Sequence, residues 1–250
     1  MSEILDKLIG ILSKERGESV PNLSEGDKAN YFRALCNVRN PRESSKEFIK
    51  LQDEYLSEQT RLKGIVDVDD FDYHDGIALW RGDITRLKCG AIVNACNSAL
   101  LGCFQPLHNC IDNAIHSAAG VQVRLDCYRM MNGRQEKNGL VKVTKGYNLP
   151  SDYIFHTVGP CVNGMVTDSD RQDLKNCYLS CLNKAVEMGL KSLAFCCIST
   201  GVYGYPKAEA CKVAVATVRE FLAKNNGGLK VIFTVFTPAD QAIYATQLSK

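Results

Sequence analysis

The stretch LAFCCISTGVYGYPKAEACKVAVATVREFLA, Leu193 to Ala223, decides the fold class. Leu193–Ile198 is a short apolar run, the length of a buried strand and too short for a helix. Ser199-Thr200-Gly201-Val202-Tyr203-Gly204-Tyr205-Pro206 follows as a glycine-rich loop, and Lys207–Ala223 is helical. A buried strand that passes through a loop straight into a helix is the building unit of a layered α/β protein.

The same alternation extends in both directions. Ile77–Trp80 predicts a short strand with a turn at Gly82-Asp83, and Ala91–Asn94 is a second apolar run ending in polar residues. Helices are expected at Ile111–Ala119 and Val121–Met131, strands at Val141–Tyr147 and Tyr153–Val158, and an amphipathic helix at Asp173–Met188. A strand at Leu229–Phe236 and a helix at Ala239–Gln247 close the series, with Asn225–Gly228 as the turn before them. The expected class is α/β with a mixed, largely parallel sheet. There is no internal repeat and no low-complexity tract.

The chain before Gly76 reads differently. From Met1 to about Val68 it is charged and helical, with Ile4, Leu5, Leu8, Ile9 and Leu12 at helical spacing. Phe48, Leu51, Tyr55 and Leu62 repeat the pattern, Gly64 suits a helix end, and Pro21 and Pro41 separate the helices. No chemistry is evident there. The expectation is a helical extension over 1–70 that packs on a domain over 71–250.

Composition narrows the function classes. The chain has 250 residues, 45% hydrophobic and 23% charged, as in ordinary globular proteins. A net charge of +2 and a pI near 7.9 argue against nucleic acid as partner. A small anion remains open, because backbone N–H groups bind phosphate without net positive charge. No apolar stretch is long enough for a membrane span, and the acidic N-terminus lacks a signal-peptide pattern, so a cytoplasmic location is expected. The 12 cysteines are then expected to be reduced. Cys177, Cys181, Cys196 and Cys197 lie in apolar patterns and read as small buried hydrophobes.

In α/β folds ligands sit outside the carboxyl ends of the strands. Three segments qualify: Trp80–Thr85, Asn94–Cys110 and Ser199–Pro206. The second contains Cys103, His108 and Cys110 in a loop with Gly102 and Pro106. Thiolates with an imidazole suit zinc. The alternative from spacing alone is two buried cysteines beside an unrelated histidine. Three local ligands leave a fourth position for a distant residue (Cys96, Asp112, His116 or His74) or for an exogenous group, as in catalytic zinc sites. Asp112 falls on a first helical turn and could instead act as a base or a helix-terminus carboxylate. His116 shares its helix face and reads more simply as a packed histidine. The third segment is neither a Walker loop nor a dinucleotide fingerprint. Its glycines still let backbone N–H groups approach an anion at the positive end of the next helix, and Tyr203 either covers a ligand or packs on the loop.

Taken together, these segments resemble the macrodomain, the ADP-ribose-binding module. Gly82-Asp83-Ile84-Thr85, Ile92-Val93-Asn94-Ala95-Cys96-Asn97-Ser98, Ile111–His116 and Ser199–Pro206 match its signatures in order and spacing, from about Asp75 to the C-terminus. The resemblance implies a three-layer α/β/α fold. It implies that Asp83 and the Ile84 N–H hold adenine, that Asn97 orients the distal ribose, and that Ile111, Ser199, Thr200, Gly201, Val202 and Tyr203 complete the ADP-ribose site. Gly102–Cys110 replaces the usual glycine-rich run and is similar to the zinc-containing subgroup, whose members carry an N-terminal helical extension. Cys96 stands where alanine is usual.

What the resemblance implies about activity is zinc-dependent release of mono-ADP-ribose from modified proteins. Zinc on Cys103, His108 and Cys110 would act as Lewis acid or water activator, with Asn97 and Asp112 as catalytic residues and Asp112 as base. ADP-ribose and a mono-ADP-ribosylated protein are the expected partners. Two alternatives stay open: a non-enzymatic ADP-ribose reader with a structural zinc, and a deacetylase of O-acetyl-ADP-ribose.

Overall fold

The computed structural model describes residues 1–225 and 228–250. Among these residues eight strands and eight α-helices follow in the order α1 (Ser2–Arg16), α2 (Lys28–Val38), α3 (Lys46–Lys63), β1 (Val66–Asp67), β2 (Ile77–Arg81), β3 (Leu87–Lys88), β4 (Ala91–Ala95), α4 (Ile111–Ala119), α5 (Val121–Met131), β5 (Val141–Lys145), β6 (Tyr153–Thr157), α6 (Asp168–Glu187), β7 (Ser192–Phe195), α7 (Lys207–Lys224), β8 (Lys230–Val235) and α8 (Pro238–Leu248). None of the described helices is long and apolar enough to cross a membrane.

Six strands form one sheet in the order β2-β8-β7-β4-β6-β5. Every pairing is parallel except β5 with β6. The central strands are apolar on both faces because helices cover both, as parallel sheets require. On one face Tyr178 of α6, Phe195 of β7, Phe233 of β8 and Tyr244 of α8 stack in series, with centroids 4.8, 6.5 and 5.1 Å apart. Helix α7 packs between α6 and α8 on that side. The other face carries α4 and α5. The three-layer α/β/α architecture and the largely parallel mixed sheet expected from the sequence are both present.

Helices α1–α3 enclose a second apolar cluster. Leu8, Ile9 and Leu12 of α1 meet Phe32 of α2 and Phe48 and Tyr55 of α3. Phe32 and Tyr55 meet edge to face, 5.5 Å between centroids. The layer docks on α4 through α2 and α3. A small ladder, β1 paired in parallel with β3, ties the chain after α3 to the main body.

Several boundaries differ from the sequence reading. Helix α6 begins at Asp168 rather than Asp173, because Thr167 and Asp170 form a capping box. Strand β7 ends at Phe195, and Cys196–Ile198 turn out of the sheet toward Ser199, whose φ is 64°. Cys177, Cys181 and Cys196 are buried as expected, whereas Cys197 is only partly covered. The turn expected over Asn225–Gly228 includes residues outside the described ones.

Candidate active site

The parallel strands deliver four loops to one rim, after β2, β4, β7 and β8. Between them and the α2–α3 layer lies a cavity of about 1040 Å³. Among the expected site residues, Asp83, Ile84, Asn97, Cys103, His108, Cys110, Ile111, Asp112 and Ser199 through Tyr203 all line it.

At one end, Asp83 caps the turn Ile84–Arg86. Its Oδ1 accepts from the Thr85 N–H at 3.0 Å and from Thr85 Oγ1 at 2.7 Å. Lys63 of α3 approaches Oδ2 at 3.7 Å. Phe236, one residue past β8, is 70% exposed and also lines the cavity. An exposed ring at a strand's carboxyl end offers a face for a planar base.

The loop after β7 turns free backbone N–H groups toward the cavity rim. Ser199 accepts from the Tyr205 N–H at 3.0 Å and Gly201 from the Gly204 N–H at 3.0 Å, which closes the loop on itself. The Tyr203 carbonyl accepts from Val162 N–H at 2.8 Å. The N–H groups of Gly201, Val202 and Tyr203 make no hydrogen bond among the described residues. A Cβ on Gly201 would meet open space, so the backbone there is approachable. Helix α7 follows at once, adding its positive end.

Beside this loop, Cys103 Sγ lies 3.5 Å from His108 Nδ1. The donor atoms of Cys103, His108 and Cys110 all fall within 4.8 Å of one another. Cys110 doubles as the cap of α4, its sulfur accepting from the Asn113 N–H at 3.4 Å. Burial pushes its thiol up to about 11. The loop needs Gly102, whose φ is 78° and whose Cβ would sit 2.9 Å from His116 Nδ1. Leu100 and Leu107 also have positive φ, 59° and 56°. Asn97 shapes the entry to this loop: Oδ1 accepts from the Ala99 N–H and Nδ2 donates to the Gly102 carbonyl, both at 3.1 Å.

Asp112 is 5% exposed and rests on the sheet, where Asn94 Nδ2 donates to Oδ1 at 2.8 Å. Burial pushes its carboxyl up to about 6, against the pull of Asn94 and Arg124. His116 Nε2 is 3.4 Å from the same oxygen, and burial holds His116 well below the ordinary histidine range. Neither Asp112 nor His116 joins the three-donor group. Cys96 does not either: its thiol donates to the Thr157 carbonyl at 3.3 Å. His74 lies far off, bridging to Ile77 at the start of β2.

No chemistry is evident in the sequence of the helical layer, yet Arg33, Asn37 and Lys63 stand in the cavity wall, as do Arg124 and Phe236 from the main body. An aromatic residue at a strand's carboxyl end was a usable signal for Phe236. Nothing local marked the others.

Comparisons with known proteins fit this geometry. A family profile described as Macro domain matches residues 93–214. A protein-ADP-ribose hydrolase of Treponema medium is 48% identical over 240 residues, covering 93% of this chain and 92% of that protein. The Trypanosoma brucei macrodomain in complex with ADP-ribose superposes with a TM-score of 0.67 at 31% identity, covering 86% of this chain and 94% of that one. The Oceanobacillus iheyensis macrodomain with ADP gives 0.64 at 38% identity, covering 69% and 90%.

Proposed function

This chain belongs to the macrodomain family, within its protein-ADP-ribose hydrolases, and from that premise we propose that it uses zinc to release mono-ADP-ribose from modified proteins. It is a hydrolase of macrodomain type. The observation that carries the zinc reading is the nest of Cys103, His108 and Cys110 facing the cavity. For zinc–ligand lengths of about 2.0–2.3 Å, tetrahedral geometry puts donors about 3.5–3.8 Å apart, which the Cys103–His108 pair already meets. Two thiols and an imidazole are a zinc donor set. Zinc held there would supply Lewis-acid polarisation at the scissile end of the substrate.

The remaining work falls to the protein. Asp83 and the Ile84 N–H hold the adenine, and Phe236 gives its ring a face. The free N–H groups of Gly201, Val202 and Tyr203 hold the diphosphate. Asn97, whose Nδ2 has a second hydrogen beyond the one given to Gly102, hydrogen-bonds the distal ribose, and Ile111 contributes to the same ADP-ribose site. Most of the binding energy thus comes from the unreacting nucleotide, which fixes the scissile bond against Asp112. Asp112 takes a proton from the attacking water as the water oxygen bonds to the carbon of the scissile linkage; the bond joining the ribose to the protein side chain breaks, and the proton passes to the departing group as ADP-ribose is freed. The division into a helical extension, 1–70, and a macrodomain, 71–250, belongs to this reading and draws support from the two separate apolar clusters. So does a cytoplasmic setting, in which the 12 free thiols stay reduced.

The test incubates a mono-ADP-ribosylated protein with the enzyme, with and without a zinc chelator, and scores free ADP-ribose. Release should stop with chelator and in Cys103→Ala or His108→Ala. Asp112→Asn should lose rate while keeping ADP-ribose affinity. Full turnover by a folded, metal-free double variant refutes the zinc reading. Binding without release would make the protein a reader, and turnover confined to the free acetyl ester would make it a deacetylase.

A further inference from the structure

Two side chains of α2 reach across to the three-donor loop from outside the sheet. Asn37 is 2% exposed. Its Oδ1 accepts from the Leu107 N–H at 2.9 Å, and its Nδ2 donates to Ser117 Oγ at 3.0 Å. Leu107 immediately precedes His108 and holds a left-handed backbone, φ 56°. That conformation is sterically disfavoured for a residue with a Cβ, so it persists only where neighbours impose it. Arg33 grips the other side. Its Nη2 donates to Asn113 Oδ1 at 2.7 Å and to the His108 carbonyl at 3.4 Å. Asn113 in turn donates from Nδ2 to the Gln105 carbonyl at 3.0 Å and from its backbone to Cys110 Sγ at 3.4 Å.

We propose that Asn37 and Arg33 are positioning residues that fix the metal nest from the helical layer. This rests on the reading of Cys103, His108 and Cys110 as a zinc site. Neither side chain touches a donor atom of His108 or Cys103. Asn37 acts through the backbone just before His108, and Arg33 through the carbonyl of His108 and through Asn113, which contacts the Cys110 sulfur. The physical reason is entropic. The donors sit on a loop without regular structure, and closing a free loop around an ion would cost conformational entropy at each binding event. A loop already clasped by α2 meets the ion with that cost removed.

The experiment measures the zinc dissociation constant of the full chain by competition with a chromophoric chelator, alongside the unfolding midpoint of the metal-free protein. Asn37→Ala and Arg33→Ala should bind zinc about 10–100-fold more weakly, the usual effect of losing an outer partner of a metal ligand. Ser117→Ala keeps the Leu107 bond itself and should stay within about threefold of wild type, as a change that spares the contact does. A residue that merely supported the fold would shift the midpoint without this pattern in affinity. Arg33 is only partly buried, so Arg33→Ala decides the matter if Asn37→Ala does not fold. A wild-type chain that takes up no zinc overturns the metal reading and this inference with it. A zinc-loaded wild type, with folded Arg33→Ala binding as tightly, overturns this inference alone.

Discussion

Gly102→Ala probes how closely the donor loop is fitted to α4. At φ 78° the left-handed backbone costs an alanine about 1–2 kcal/mol. The new Cβ would sit 2.9, 3.0 and 3.1 Å from Nδ1, Cγ and Cε1 of His116. That ring has little room to yield, being buried with the His156 ring 5.9 Å away and Asp112 Oδ1 at 3.4 Å. Overpacking of this kind costs about 1–3 kcal/mol. The sum, roughly 2–5 kcal/mol, falls on the loop rather than on α4, which the sheet holds. At about 1.4 kcal/mol per decade it shifts the balance between seated and displaced loop by a factor of about 30 to 4000. Zinc affinity and ADP-ribose release should both fall within that range while the fold survives. Adding His116→Ala removes the overlap but not the backbone cost, so a double-mutant cycle should show coupling of about 1–3 kcal/mol. A Gly102→Ala enzyme with wild-type affinity and rate, or a cycle that is strictly additive, refutes the reasoning.

Arg124 of α5 donates from Nη1 to the carbonyls of Cys36, Asn37 and Arg39 at 2.9, 2.9 and 2.6 Å, and from Nε to Leu101 at 2.7 Å. Arg124→Met should cost about 3–5 kcal/mol in denaturant unfolding, because it orphans buried carbonyls on two elements at once; a loss under about 1 kcal/mol would contradict that. Gly201→Val should leave unfolding within about 0.5 kcal/mol, since nothing crowds that position, yet weaken ADP-ribose at least about tenfold in calorimetry by screening the free N–H groups. Undiminished binding would remove the diphosphate from that loop. Burial lowers His156 to about 3, so between its ordinary 6.5 and that value the unfolded chain carries a proton the folded chain lacks. Stability is therefore full above about pH 6.5 and falls below it, by about 2 kcal/mol from His156 alone at pH 5. Urea midpoints of metal-free protein at the two pH values measure this, and His156→Gln should flatten the slope by one proton's worth.

Much of the architecture was legible because strands buried on both faces carry continuous apolar runs, as in Ala91–Val93 and Val231–Phe233. The helix start at Ile111 was legible from a different pattern, apolar residues at helical spacing after a loop. The first turn of α6 was not, since Asp168-Ser169-Asp170-Arg171 has no apolar periodicity and its order comes from capping by Thr167. The apolar run through Ile198 overstated β7, because hydrophobicity does not say where a strand stops pairing. At the site, the cluster of Cys103, His108 and Cys110 and the glycine-rich loop over Ser199–Pro206 were visible as residue types within short loops, and both line the cavity. Arg33, Asn37 and Arg124 were not. A charged or amide side chain on a helix looks like a solvated face until its partner, some 80 residues away, is placed beside it.

The clasp between α2 and the donor loop also sets an order on the ribosome. Helices α1–α3 emerge first and can bury Leu8, Phe32, Phe48 and Tyr55 against one another by local contacts. Asn37 and the carbonyls at the end of α2 must then wait for Leu107, Ser117 and Arg124, 70 to 88 residues later in translation. Such non-local contacts form late, because the loop-closure entropy comes before the reward. The nascent protein would thus hold a finished helical layer well before the loop around Leu107 can be clasped to it.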